Sequence, residues 1–327
     1  IDYSVLEVTD AFQTFVKSPV FVDNLIRTHQ YTCDVWRNGS KYLYFYTLHN
    51  QEHAVVLIKN TIKLINTFDY FQISALDYYI IFLACYLHDI AMVKIPGFDS
   101  FLKEQEEADE ITLNFEQSLK DEQGMNDFGD LKRLLVQVYK KMDAFYEQQV
   151  RDNHAANSAS EIRNAKELEY LDSYLREFVA EVAEAHVYDI ADAYFIKSEA
   201  LSKKISMKFD KIILRLADAL DISMNRISRP ILYHNLDQMQ DESMFHWLSH
   251  LLIKGYELKT EYEVNEGKTL YPGSIVEKVI VKIFVEITQL SQCTIKEKCS
   301  FAGIDRSTLV SGSNSFDLEC GRACSPD

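Results

Sequence analysis

The sequence predicts a mainly α-helical fold followed by a small α+β region. Gly and Pro, which interrupt helices, number only 10 and 5 among 327 residues, while 47% of the residues are hydrophobic. A chain of this length and composition can bury a large core, in one domain or in two. Apolar residues recur mostly at helical spacing up to residue 239, and beyond it apolar and polar residues alternate as they do in strands.

Two early segments show the helical pattern in different forms. Residues 49–65 repeat apolar side chains every three or four positions, which predicts an amphipathic helix. Residues 74–88 are apolar on nearly all sides, and outside a membrane this predicts a helix buried in the core. Helical periodicity returns in three further segments, 131–150, 158–187 and 208–224, and ends at Pro230.

The second part of the chain has a different pattern. Residues 254–264 and 275–287 are rich in Val and Ile and alternate with polar residues, which predicts two strands joined by a turn. We therefore predict a helical domain over residues 1–235 and a small α+β accessory region over 236–310. Residues 311–327 are rich in Ser, Gly and Cys without periodicity, and we expect them to form a disordered tail.

The chain is acidic, with 34 Lys and Arg against 50 Asp and Glu and a formal net charge of −16. Such a protein repels polyanions as a whole, so nucleic acid is not an expected partner. Acidic residues are concentrated in an insertion at about 98–130, which we predict to be a solvated helix or a mobile segment. Nucleic-acid cleavage would need a basic groove, for which residues 201–230 are the only candidate.

No membrane or secretory feature is visible in the sequence. The longest apolar run, 78–87, has ten residues, about half of what a membrane-spanning helix needs. No basic and apolar leader stands at the N-terminus. Six cysteines form no C-x-x-C pair, which indicates a reducing, cytoplasmic setting. The chain begins at Ile1 without Met, so we expect it to be processed or to be a piece of a longer protein.

Five histidines and two aspartates stand in an order that indicates a metal site. From His53 onward, with His88 and Asp89 counted as one doublet, the gaps between successive members are 35, 65, 32 and 32 residues. Gaps of this length allow each side chain to come from a different helix of a bundle and to reach one interior point. The seven residues are His49, His53, His88, Asp89, His154, His186 and Asp218.

The ligand types limit the metal. Imidazole and carboxylate together suit divalent Mn, Fe, Co or Zn, and Mg where oxygen dominates. Four His and two Asp are too many donors for one tetrahedral zinc ion, but they fit two six-coordinate metal ions that share a bridging carboxylate. A separate pair, His246 and His250, could also bind metal, although packing in a core or an interface is the favoured interpretation.

These residues resemble the HD-domain metal-dependent phosphohydrolase superfamily. The likeness rests on His53, the doublet His88-Asp89, and Asp218 within RLADALD. The segment HDIAMVKIP is also similar to the HDIG motif of the phosphodiesterase branch, with Ala91 in place of the usual Gly. The resemblance implies an HD-type helical bundle for the first domain.

The resemblance, which spans about residues 50–225, also implies a ligand set. His154 and His186 fall between the doublet and the final Asp, where two-metal members of the superfamily carry extra ligands. The implied cofactors are two divalent metal ions, with Asp89 bridging them. The first ion would be held by His53, His88, Asp89 and Asp218, and the second by Asp89, His154 and His186.

Other polar residues near these ligands could act on a substrate beside the catalytic Asp89. Lys94, Arg151 and Arg215 could neutralise charge on a phosphoryl oxygen, although for each cation alone a surface or pairing role is favoured. His49, one helical turn before His53, is a candidate for proton transfer or leaving-group assistance. Asp221 could support a ligand or pair with Arg215.

The function implied by the resemblance is hydrolysis of a phosphoester or phosphodiester bond in a nucleotide-type substrate, by a hydroxide held between the two metal ions. Two alternatives stay open. One is a mononuclear phosphohydrolase that acts on nucleotides or deoxynucleoside triphosphates. The other is a non-catalytic HD sensor or regulatory module of a larger signalling or defence protein. The expected partners are a small phosphorylated substrate and either a second copy of the chain or further domains.

Overall fold

The computed structural model describes residues 3–39, 46–69, 72–94, 128–189, 192, 205–222, 226–235, 239, 241–264, 275–285 and 316–318. These residues contain nine α-helices and one three-stranded sheet, which confirms the predicted mainly α fold with a small α+β region. The helices are α1 (Tyr3–Phe15), α2 (Pro19–Val35), α3 (Gln51–Ile65), α4 (Ala75–Leu87), α5 (Phe128–Asn164), α6 (Ser173–Glu184), α7 (Met207–Ala219), α8 (Arg229–Asn235) and α9 (Asp241–Leu252). The strands are β1 (Ile253–Val264), β2 (Ile275–Val285) and β3 (Phe316–Leu318).

Helix α4 is the centre of the core. It begins with a capping box, in which Ser74 Oγ accepts from the backbone N–H of Asp77 and an Asp77 oxygen accepts from the backbone N–H of Ser74. All side chains from 79 to 87 are buried, and α2, α3, α6 and α7 pack around them. Each large apolar side chain buried in this way contributes about 1.5–3 kcal/mol relative to exposure. The prediction of a core helix at 74–88 is confirmed.

Helix α4 is followed by a 3-10 turn, and the combined segment is as long and as apolar as a membrane-spanning helix. Among the described residues, Ala75–Val93 is the one helix long and apolar enough to cross a membrane, and 83% of its apolar window is buried inside the protein. Such burial is typical of the core helix of a soluble protein.

Helix α3 packs on α4 and begins at Asn50. The Oδ1 atom of Asn50 accepts from the backbone N–H of Glu52 at 3.1 Å and of His53 at 3.4 Å, which satisfies two donors that the first helical turn leaves open. Ile58 and Ile65 lie on its buried face, as the predicted amphipathic pattern requires. The cap therefore fixes the first turn, which carries His53.

Helix α5 is longer than the sequence pattern predicts. Two helices were expected at 131–150 and 158–187, but one helix of 37 residues runs from Phe128 to Asn164. Its central part has no Gly or Pro, and small residues such as Ala155 and Ala159 continue the buried stripe with little hydrophobic signal. The second predicted helix is interrupted between Ala165 and Asp172, and α6 begins after Asp172, whose side chain accepts from two backbone N–H groups.

The last described part combines helix α9 with the sheet. Strand β1 pairs antiparallel with β2, and β2 with β3, so the strands predicted at 254–264 and 275–287 are confirmed. The sheet lies against α3, because Tyr256 Oη donates to Asn60 Oδ1 at 2.5 Å and Lys63 Nζ donates to the Tyr256 carbonyl at 3.3 Å. A small core of its own joins α8 to α9 through Leu232, Met239, Met244, Trp247, Leu248 and Leu251.

Two predicted segments fall largely outside the described residues. Of the acidic insertion at 98–130, only 128–130 are described, and they begin α5. Of the tail at 311–327, only Phe316–Leu318 is described, and it pairs with β2 as strand β3. The domain limits at 235 and 310 stay a prediction.

Candidate metal centre

The fold brings all six predicted metal ligands together at one end of the bundle. Each comes from a different element except for the doublet, which stands at the C-terminal end of the apolar helix α4. The contributing positions are the first turn of α3 (His53), the end of α4 (His88 and Asp89), the middle of α5 (His154), the 3-10 turn after α6 (His186) and the last turn of α7 (Asp218). The long sequence gaps therefore correspond to separate helices, as expected.

Asp89 occupies the middle of the cluster and is only 5% exposed. Its Oδ2 atom lies 2.8 Å from His88 Nε2 and 3.9 Å from His53 Nε2. Its Oδ1 atom lies 3.3 Å from His186 Nε2 and 3.6 Å from His154 Nε2. The two oxygens of one carboxylate thus face two different groups of imidazole nitrogens.

Two sets of side chains in this cluster could each hold a metal ion. In the first set, which consists of His53, His88 and Asp218, the ligand atoms all lie within 4.8 Å of one another. The second set consists of His88, Asp89 and His186 and meets the same limit. Within the first set, His53 Nε2 is 3.4 Å from Asp218 Oδ1.

The backbone hydrogen bonds of three ligand histidines turn the Nε2 atom of each ring towards the cluster. The Nδ1 atoms of three rings lie against backbone carbonyl oxygens, which can only accept, so each of these Nδ1 atoms carries the proton. The distances are 3.1 Å from His88 to the Cys85 carbonyl and 2.6 Å from both His154 and His186 to theirs. In the neutral rings, the opposite nitrogen, Nε2, then carries a lone pair.

Facing lone pairs explain why this cluster suits a cation. The Nε2 atoms of His154 and His186 are 3.0 Å apart, and those of His53 and His88 are 3.3 Å apart. Two lone pairs at such distances repel each other unless a proton or a metal ion lies between or beside them. Buried imidazoles and carboxylates are the donors that divalent transition metals prefer, so the residues fit the predicted kind of cofactor.

Asp221 supports His53 from behind the cluster. Its Oδ2 accepts from His53 Nδ1 at 2.6 Å, and the Asp221 side chain is fully buried. A carboxylate that holds the far nitrogen of a histidine fixes the ring and makes its other nitrogen a better metal ligand. Two roles were open for Asp221, support of a ligand and pairing with Arg215. The geometry favours the first, because Arg215 Nη1 donates instead to the His186 carbonyl at 3.0 Å.

The charges of the cluster also suit a metal. Burial opposes the ionisation of Asp89, but His88 and His186 outweigh it and hold the pKa of the carboxyl well below its usual range. Burial likewise opposes ionisation of Asp218, yet His53 lowers the pKa of that carboxyl. Burial lowers the pKa of His154, whereas Asp89 outweighs burial and raises the pKa of His88. Ionised carboxylates bind a metal ion directly, and a metal ion would displace the protons that the histidines share with them.

Comparison with known protein families agrees with this geometry. A family model described as HD-CE matches residues 43–279. The chain belongs to the HD-CE family. The HD-type domain predicted from the residues is thereby confirmed, and HD domains are generally metal-dependent hydrolases. No curated protein and no solved structure matches the chain.

The HD-CE match covers more than the metal cluster. It extends beyond α7 and includes α8, α9 and β1. The resemblance seen in the sequence covered only about 50–225, so it missed the part of the family match that contains α8, α9, β1 and the start of β2. Helices α8 and α9 and strand β1 therefore belong to the HD-CE match together with the helices that carry the ligands.

The three cations that were candidates for substrate binding have different surroundings in this HD-CE protein. Arg151 Nη2 donates to Glu147 Oε1 at 2.9 Å and to Ser243 Oγ at 2.8 Å, and its guanidinium lies 4.2 Å from the centre of the Tyr46 ring. Lys94 forms an ion pair with Glu161, and its side chain is 53% exposed. Arg215 binds the His186 carbonyl, as described above. The catalytic roles of all three stay predictions.

A cavity of about 420 Å³ lies beside the cluster and is the expected place for a substrate. His49, Asp218 and Asp221 line one part of it, and Arg151 and Arg226 line another. The remaining wall comes from the C-terminal elements, through Ser243, Phe245, His246, Ser249, His250, Ile253 and Ile283. A separate cavity of about 460 Å³ between α1 and α3 contains none of the predicted ligands.

The C-terminal wall is the part of the site that the sequence analysis missed. His246 and His250 were assigned to packing, yet both line the cavity. Arg226 received no role at all. The sequence pattern of α9 did indicate a helix with one buried face, formed by Met244, Trp247, Leu248 and Leu251. It did not indicate which part of the protein the opposite face contacts.

Proposed function

We propose that the protein is a metal-dependent phosphohydrolase that holds two divalent metal ions and cleaves a phosphoester or phosphodiester bond in a nucleotide-type substrate. The observation that carries the proposal is the position of Asp89, whose two oxygens face two separate groups of imidazole nitrogens. When bound, two adjacent divalent ions lower the pKa of water and stabilise the charge of a phosphoryl group.

The residues of the chain prepare this site by holding its donors rigid. Asp221 orients His53, and backbone carbonyls orient the rings of His88, His154 and His186. Asp89 and Asp218 would be the ionised ligands against two divalent cations. The loaded centre would therefore keep a net positive charge, which attracts the phosphoryl group of a substrate.

His49 is the proposed proton acceptor. Its Nδ1 donates to the Thr47 carbonyl at 2.5 Å, so its neutral ring presents a lone pair at Nε2, 3.9 Å from Asp89 Oδ2. Burial, aided by the charge of Arg226, holds the pKa of His49 well below its usual value. His49 lines the cavity, and its neutral ring can accept a proton at Nε2; the lowered pKa would then make the protonated ring a strong acid that passes the proton on to the leaving group.

Metal content and hydrolysis test this proposal together. We expect about two transition-metal ions per wild-type chain, together with Mn²⁺-dependent hydrolysis of bis(p-nitrophenyl) phosphate. Asp89→Ala should lose both, while Asp143→Ala, which removes an exposed carboxylate of α5, should keep both. Thermal unfolding of each variant checks that the fold is retained.

The other outcomes identify the alternatives. One ion per chain would indicate the mononuclear nucleotide phosphohydrolase. No bound metal, even after Mn²⁺ is added back, would contradict the catalytic proposal and leave a non-catalytic regulatory module.

A further inference from the structure

Arg226 is held rigidly beside the metal cluster, between α7 and α8. It is 9% exposed, and its Nε donates to the Leu48 carbonyl at 2.9 Å. Its Nη1 lies 3.5 Å from both the backbone oxygen and Oδ2 of Asp221. The Leu48 backbone N–H in turn donates to the Arg226 carbonyl at 3.2 Å. The guanidinium therefore has a fixed position next to the carboxylate that orients His53.

One nitrogen of this guanidinium, Nη2, finds no acceptor among the described residues. Arg226 Nη2 is buried and makes no hydrogen bond with the part of the chain that the structure describes. A buried donor without an acceptor is costly, and the cost is larger for a charged group. Because Arg226 lines the cavity beside the cluster, an acceptor brought by a ligand would satisfy this donor.

Two arginines line the cavity, and Arg226 has the longer ion pair of the two. Arg151 Nη2 lies 2.9 Å from Glu147 Oε1, whereas Arg226 Nη1 lies 3.5 Å from Asp221 Oδ2. Asp221 also makes its short hydrogen bond to His53. Of these two arginines, Arg226 is therefore the better suited to bind an anionic group inside the cavity.

Aromatic side chains line another part of the same cavity. Phe245 is 49% exposed, and its ring centre lies 5.9 Å from that of His246. Flat aromatic faces bind nucleobases by stacking. The cavity volume of about 420 Å³ lies within the range of small-molecule sites.

We infer that this cavity binds the part of a nucleotide that lies beyond the scissile phosphoryl group, with Arg226 Nη2 donating to a second phosphoryl group and Phe245 and His246 contacting the base. The substrate class is then a nucleotide with at least two phosphoryl groups. The inference rests on the proposed function, because the cluster must hold the first phosphoryl group for Arg226 to meet the second.

Calorimetry with AMP and ADP in the presence of Mn²⁺ tests the inference on the full chain, with EDTA as the metal-free control. Wild type should bind ADP about 10-fold to 100-fold more tightly than AMP, which is the effect of one hydrogen bond to a charged group. In Arg226→Met the ratio of the two affinities should fall to about one, and Arg226→Lys should keep part of it. Arg37→Met, which removes an exposed arginine paired with Asp34, should leave the ratio unchanged.

A second variant protects the test if Arg226→Met does not fold. Phe245→Ala changes a half-exposed side chain. It should weaken the binding of AMP and of ADP by the same factor, so that the ratio of the two affinities stays as in wild type. Equal affinities for AMP and ADP in wild type, or an unchanged ratio in both Arg226 variants, would overturn the inference. Absence of Mn²⁺-dependent hydrolysis in wild type would instead refute the proposed function, while an ADP-to-AMP affinity ratio that depends on Arg226 in the presence of Mn²⁺ would still support the role of Arg226.

Discussion

A pair of carboxyl groups lies at each end of helix α4, and the pKa shifts at the two ends have opposite directions. At the C-terminal end, histidines hold the pKa of both Asp89 and Asp218 low despite burial. At the N-terminal end, burial and the neighbouring Asp77 raise the pKa of Asp210 well above its usual range. Asp89 and Asp210 are both almost fully buried, yet their pKa values shift in opposite directions, so the neighbours rather than the burial decide which carboxyl is charged.

The two ends therefore serve different purposes. Asp77 accepts from the backbone N–H of Ser74 and of Ser206, each at 2.7 Å, and so joins the start of α4 to the start of α7. Both carboxylate oxygens of Asp77 thus accept a backbone hydrogen bond within the fold. The oxygens of Asp89 face imidazole nitrogens that need a cation. We conclude that Asp77 stabilises the fold and that Asp89 and Asp218 are available for chemistry.

The largest expected effect comes from removing the charge of Asp89 without changing its size. Asp89→Asn should lower Mn²⁺-dependent hydrolysis by at least about 1,000-fold, because it removes the carboxylate that joins the two ligand groups. Steady-state rates on bis(p-nitrophenyl) phosphate measure this change. Activity close to wild type in Asp89→Asn would contradict the distinction between the two ends.

A smaller effect is expected behind the cluster. Asp221→Asn should weaken Mn²⁺ binding by about 10-fold to 100-fold, because the amide holds His53 less firmly than a carboxylate does. Titration of Mn²⁺ into metal-free protein gives the affinity. Asp143→Asn on the exposed face of α5 is the matched control and should bind Mn²⁺ as wild type does. Equal affinities in the two variants would show that Asp221 does not act through His53.

At the other end of α4, the expected change is in stability. Asp77→Asn should lower the free energy of unfolding by about 1–3 kcal/mol, because one of its two backbone donors loses its acceptor. Urea denaturation measures the loss. Metal content should stay as in wild type, and a loss of metal from this variant would mean that the two ends of α4 are not independent.

The smallest effect is a pH dependence of stability at Asp210. Its pKa is raised in the folded protein, so its contribution is fully present below the unfolded value of about 3.9 and is lost as the pH rises through the folded pKa. Asp210→Asn does not titrate, and its stability relative to wild type should therefore increase with pH. Urea denaturation of both proteins in EDTA from pH 5 to pH 8 measures the difference. A difference that does not change with pH would show that Asp210 is ionised throughout.

The ligands of the cluster could be predicted from the sequence because burying a charged doublet has few physical solutions. His88 and Asp89 end a helix that is apolar on all sides, and an unpaired carboxylate is very costly in such surroundings. His154 and His186 were identified differently, from their order between the doublet and Asp218, where two-metal members of the similar superfamily carry extra ligands. The structure brings all of these side chains to Asp89.

Contacts between distant segments could not be predicted in the same way. Arg226 meets the Leu48 carbonyl, 178 positions away, and neither residue belongs to a recognisable motif. Lys94 and Arg215 were chosen for their closeness to ligands along the chain, but each contacts a neighbour that only the tertiary structure defines. The wall formed by α9 was missed for the same reason, because its pattern shows which face is buried and not what the other face meets.

The most direct test of the central claim is anomalous X-ray diffraction from crystals of the protein grown with Mn²⁺. We predict two anomalous peaks on opposite sides of Asp89, one beside His53, His88 and Asp218 and the other beside His154 and His186. No peak at Asp89, or a single ion bound elsewhere in the chain, would contradict the claim that this carboxylate joins two metal ions.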